Sequence, residues 1–149
     1  MKEKILIENG TIIDGTGSKE YVDSVLIENG IISAIGKDAE AFSSDATLKK
    51  INAAGQTVMP GLIDSHCHIT FDEPTSNDEL FFHRREGLAA IVAAHNARKV
   101  LLSGVTGFLD ADCIFDTGVD LRDAIESGYV EGPRMSSGGN ALLTSVGGT

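Results

Sequence analysis

The hydrophobic pattern of this 149-residue chain changes period at Pro60, and that change limits the folds open to it. Beyond Pro60 a short strand pattern, Leu62 to about Ile69, is followed by a loop. A long helical pattern then runs from about Asn77, an N-cap residue type, to Ser103, and Gly104 ends it. A strand at Val105 to Leu109, a helix at about Leu121 to Ser127 closed by Gly128, and a third strand from near Pro133 complete the series. Strands that alternate with helices predict βαβ units and a parallel sheet. In the long helix, Ala89, Ala93 and Ala97 recur at helical spacing beside Leu88, Val92, Val100 and Leu101, so small side chains let it lie close against strands.

The first sixty residues follow another grammar. ILIENGTII, from Ile5 to Ile13, recurs as VLIENGIIS, from Val25 to Ser33. In each copy β-branched residues flank Asn-Gly, a pair that tolerates the positive φ angles of a tight turn, so each is expected to form a β-hairpin. Further strand segments run from Leu48 through Ile51 and from Thr57 to Met59, after a Ser/Asp-rich loop at Ser43 to Asp45. A small antiparallel sheet is expected, with too little core to stand without another layer.

Composition narrows the class of partner. The chain is 42% hydrophobic and 23% charged, as soluble globular domains are, and carries a formal charge of −10 with no basic cluster. Nucleic acid and membrane surfaces are therefore not expected as partners. The start, MKEKILIENG, lacks the apolar run of a signal peptide, and no stretch reaches the roughly 20 apolar residues of a membrane span. A cytoplasmic location is expected, where Cys67 and Cys113 remain thiols. Asn9-Gly10-Thr11 matches a glycosylation acceptor but fits a turn better.

The segment PGLIDSHCHIT, Pro60 to Thr70, carries the chemistry. In a strand Asp64, His66 and His68 share one face, while Ile63, Ser65, Cys67 and Ile69 share the other. A central parallel strand is buried on both faces, where three polar groups are costly unless something binds them. A divalent metal answers that requirement: imidazoles at i and i+2 converge on one ion, and the acid two positions earlier supports or orients them. His66 and His68 are thus the candidate metal ligands and Asp64 their support. The C-terminal end of the strand, where they sit, is where barrel active sites form.

With PGLIDSHCH in this setting, the chain resembles the amidohydrolase superfamily, whose signature is a His-X-His pair at the end of the first barrel strand. GTIIDGTG and VLIENGIISAIG resemble that family's N-terminal β-sandwich segment, and INAAGQTVMPG its entry into the barrel. NARKVLLSG, SGVTGFLDAD and LRDAIESGYVEGPRMSSGGNAL resemble the second and third βα units of the imidazolonepropionase-like and prolidase-like subgroup. The resemblance implies an α/β fold: a small β-sandwich segment at 1–59, then at 60–149 about three βα units of a TIM-like (β/α)8 barrel, which in full takes about 250 residues. It implies a metal-dependent hydrolase that opens an amide, cyclic amide or dipeptide C–N bond with one or two divalent ions, zinc foremost. The family's bridging ligand, remaining histidines and proton-carrying aspartate come from later strands, beyond Thr149. No catalytic residue is therefore assigned within this chain, and it is expected to be an N-terminal part, inactive alone. The alternatives are a non-catalytic module that assembles through open strand edges, with itself or a partner, and a deaminase of the same superfamily.

Other polar residues carry plainer expectations. His83 and His95, among Arg84, Arg85, Arg98 and Lys99, suit a solvated helix face. Cys67 is expected to be a small buried hydrophobe. Asp110 and Asp112 follow the second strand and suit either the mouth of a site or loop capping. FDEPTSN has a turn composition, though its place after the first strand puts it within reach of substrate. Gly138, Gly139, Gly147 and Gly148 form no phosphate-binding fingerprint, because no helix start follows at the required spacing.

Overall fold

The computed structural model describes residues 4–72, 74–76 and 78–141. The chain divides into two compact units, Met1–Pro60 and Gly61–Thr149.

The first unit is built on β1 (Lys4–Ile12), β2 (Tyr21–Glu28), β3 (Ile31–Ile35), the short α1 (Lys37–Glu40), β4 (Lys49–Asn52) and β5 (Thr57–Val58). The sheet order is β3-β2-β1-β4, with β5 also beside β1. β1 pairs antiparallel with β2, but β4 and β5 run parallel to it, so the sheet is mixed and not antiparallel throughout. The connection through α1 is a crossover that carries the chain from β3 to the far side of β1, the kind of connection that parallel pairing requires. Leu6, Leu26, Ala39 and Leu48 form the core of this unit.

The two Asn-Gly copies take different roles. Asn29 and Gly30, with φ of 54° and 77°, make the two-residue hairpin turn between the paired Glu28 and Ile31. Asn9-Gly10 makes no hairpin: it lies inside β1 at a break in register between Ile7 and Gly10, with Asn9 at φ 62°. Strands flank β1 on both sides of this irregularity, and pairing along its whole length outweighs the local turn preference. Gly10 is enclosed as well, since a Cβ there would stand 2.4 Å from Val58 Cγ2.

The second unit holds β6 (Leu62–Cys67), a π-helical turn (Glu79–His83), α2 (Glu86–Leu102), β7 (Val105–Asp110), α3 (Thr117–Glu126) and β8 (Arg134–Ser137). β6, β7 and β8 form a parallel sheet in that order. Ile69, Ala93, Ala97, Phe108, Leu121 and Met135 make its core, and Ala89, Ala93 and Ala97 are fully buried as their spacing predicts. Gly104, at φ 93°, ends α2 and accepts a hydrogen bond from the Leu62 N–H at the start of β6.

The single helix expected from Asn77 to Ser103 is broken. Arg84 and Arg85 are extended, with ψ of 123° and 142°, between the π-helical turn and α2. Arg84 turns inward, donating twice at 3.0 Å to Glu79 and at 3.4 Å to the Thr70 carbonyl. A continuous helix would not direct its side chain there. Arg85 restarts the helix, its carbonyl accepting from the N–H groups of Leu88 and Ala89. Asn77, Gly147 and Gly148 lie outside the described residues. No described helix is long and apolar enough to cross a membrane.

Candidate metal centre

β6 delivers the two histidines to the C-terminal end of the parallel sheet. Two irregularities in its pairing with β7 compensate each other: Leu62 to Ile63 faces Val105 to Gly107, and Asp64 to Cys67 faces only Phe108 to Asp110. The second places one extra β6 residue at the histidines, and a bulge of this kind re-aims side chains. Asp64 Oδ1 accepts the His66 N–H at 3.0 Å and so shapes the same stretch.

His66 and His68 come together, with their Nε2 atoms 3.2 Å apart and their rings edge to face. Two nitrogen lone pairs at that distance repel unless a proton on one, or a cation shared by both, stands between them. Nitrogens about 2.0–2.1 Å from one ion at a near-tetrahedral angle are separated by about this distance, so the pair fits a divalent metal. Among the described residues no group of three or more His, Cys, Asp or Glu is arranged to hold a metal ion.

The surroundings depart from the sequence expectation in one respect. β6 is at the edge of its sheet, with Leu62 51% and Ile63 72% exposed, so the strand is not buried on both faces. The cost of burying three polar groups, part of the sequence argument, therefore does not arise in this chain. Cys67 turns toward the core cluster and is half-buried. Burial, with the nearby Asp64 and Asp110 carboxylates, pushes its thiol above the ordinary range, which disfavours the thiolate a metal would need. His83 and His95 are exposed, as expected.

Asp112, which the sequence left between the mouth of a site and a loop cap, and Phe71, Phe81 and Asn96, which it gave no individual role, contribute here. Asp112 Oδ1 lies 2.7 Å from His68 Nδ1, with both side chains about one-third exposed. Phe71 stacks on the His68 ring at 4.7 Å between centroids and 10° between planes, and Phe81 meets Phe71 edge-on. Asn96, buried on α2, donates to the carbonyls of Ile69 and Phe71. Asn96 had left a signal, as a polar residue beside the alanine stripe of a helix face. Asp110, by contrast, is fully buried and accepts from the Ile69 N–H at 3.0 Å and the Ser137 hydroxyl at 3.2 Å. It braces the end of β6 and does not line a mouth.

No protein-family profile matches the chain. It is 40% identical over 65 residues to a dihydroorotase of Acetivibrio thermocellus, an alignment covering 44% of this chain and 14% of that protein. It is 29% identical over 127 residues to the dihydropyrimidinase of Rattus norvegicus, covering 85% of this chain and 22% of the relative. A solved Xaa-Pro dipeptidase with methionine bound in its active site superposes with a TM-score of 0.80 at 31% identity, over 94% of this chain and 34% of that one. The α/β fold, the histidine strand and these likenesses place the chain in the amidohydrolase superfamily. It spans about a third or less of the length of each of these relatives.

Proposed function

We propose that this chain contributes His66 and His68 to the metal centre of a hydrolase that opens a C–N bond in an amide, cyclic amide or dipeptide. The observation that carries the reading is the 3.2 Å approach of the two Nε2 atoms at the C-terminal end of the first parallel strand. In this reading residues 1–59 are part of a β-sandwich and residues 60–149 the first three βα units of a (β/α)8 barrel. When bound, a divalent ion, zinc foremost, supplies Lewis acidity: it polarises a carbonyl and brings the pKa of a water toward neutrality. The chain's own work is to hold and orient. His66 and His68 present their nitrogens, Asp64 holds the backbone N–H of His66, and Phe71 and Asn96 fix the turn that follows. The proton carrier and remaining ligands would come from further barrel strands, so the chain alone is proposed to be inactive. The names of the relatives support the bond class: a dihydroorotase, a dihydropyrimidinase and a dipeptidase.

The exposed Leu62 and Ile63 on an edge strand favour a second reading, a module that assembles through this edge with another copy. One experiment tests both: zinc content of the purified 149-residue chain, H66A and H68A, with solution mass recorded. Zinc in the parent that is lost in both variants supports the metal centre. Equal zinc in all three overturns it, and a defined oligomer whose zinc is indifferent to both histidines favours the assembly module.

A further inference from the structure

We propose, resting on the metal centre above, that Asp112 is a positioning residue that fixes His68 in the tautomer able to bind a cation. The contact is long-range in sequence, joining the end of β6 to the loop after β7, and at 2.7 Å it is short enough to be charge-assisted. The partner of Nδ1 is a carboxylate oxygen, an acceptor, so the hydrogen bond places the imidazole proton of His68 on Nδ1 and leaves its lone pair on Nε2. Nε2 is the atom that faces His66. A neutral histidine in water favours the opposite arrangement, with the proton on Nε2, so Asp112 inverts the intrinsic preference. The hydrogen bond also sets the rotation of the ring, and Phe71, stacked nearly parallel to it, holds the ring plane. A carboxylate behind a ligating histidine orients the ring and raises its basicity as a ligand.

Asp112 is about one-third exposed and follows the strand, outside the packed core, so its replacement is compatible with folding. The test uses the full 149-residue chain, with D112A and the near-isosteric D112N. Two-bond 1H–15N spectra of the chelator-treated proteins at neutral pH read the His68 tautomer directly. Competition with a chromophoric chelator reads the zinc affinity. The parent is expected to show the Nδ1–H form. D112A should move toward Nε2–H and bind zinc about 10–100-fold more weakly. D112N, which keeps an acceptor oxygen, should lie between them, and D112E should recover part of the loss. A D112A spectrum like the parent's, or unchanged zinc affinity, overturns the proposal. Zinc bound equally by the parent, H66A and H68A overturns the metal centre itself, and the proposal with it. That signature is distinct from a parent that binds through both histidines and a D112A variant that loses nothing.

Discussion

The side-chain amide of Asn96 donates to the carbonyl oxygen of Phe71 at 2.7 Å and, through the same nitrogen, to that of Ile69 at 3.0 Å. A single buried side chain thus ties α2 to the turn that carries the aromatic wall of His68. Asn96→Ala would leave both carbonyls without their partner, and a buried unsatisfied polar group costs about 1–3 kcal/mol. N96A is expected to lose about 2–4 kcal/mol in urea unfolding. N96D should be worse, because a carboxylate would face two carbonyl oxygens. A loss below about 0.5 kcal/mol in N96A, the range of ordinary surface substitutions, would remove the clamp from this account.

Asp110 gives the protein a pH dependence of defined sign. Burial pushes its carboxyl above the ordinary value of 3.8, against hydrogen bonds from the Ile69 N–H and the Ser137 hydroxyl that pull it down. The folded state therefore binds this proton more tightly than the unfolded chain. The contribution is fully present below 3.8 and is lost as pH rises from there through the raised folded value. In D110N an amide oxygen can still accept from Ile69 and the charge is gone. D110N should gain stability relative to the parent as pH rises above 3.8, measured as the difference in urea midpoints across pH. A constant difference between the two proteins would refute the assignment.

Arg84 stands at the break in the helical stretch, and its removal should be felt. Its side chain is only 6% exposed and is held by Glu79 and the Thr70 carbonyl. R84M is expected to cost about 1–3 kcal/mol, chiefly from groups left unpaired. R84K should recover little, because an ammonium cannot reproduce the paired donors of a guanidinium. Near-parental stability of R84K would mean that charge alone holds the turn.

Elements with strong periodicity were legible in the sequence, and contacts between elements far apart in the chain were not. The buried faces of Ala89, Ala93 and Ala97 and the terminating Gly104 follow from local pattern and backbone conformation. The approach of His66 to His68 follows from i, i+2 spacing, although a bulge that spacing cannot reveal adjusts their aim. Asp112 reaches His68 across a whole βα unit, and nothing in its local sequence separates a loop cap from a histidine partner. At the break in the long helix Arg84 is held by Glu79, five residues before it, and by the Thr70 carbonyl, fourteen before it, and hydrophobic periodicity registers neither contact.

The repeated Asn-Gly shows how far local preference reaches, and it yields a prediction that separates its two settings. Gly30 sits at φ 77° with open space where a side chain would go, so G30A pays only the left-handed strain, about 1–2 kcal/mol. Gly10 has a φ that alanine can adopt, but a Cβ would stand 2.4 Å from Val58 Cγ2 and 3.3 Å from Ala53 Cβ, in the part of β1 that pairs with β2 and β5. G10A must therefore displace β5 or Val58, at an overpacking cost of about 1–3 kcal/mol. The distinguishing test is rescue. Val58→Ala removes the clashing methyl groups, and it should restore part of the stability of G10A while leaving G30A no better. If V58A fails to relieve G10A in a double-mutant cycle, then Asn9-Gly10 acts through its turn preference after all, and the two copies would be equivalent in energy though not in structure.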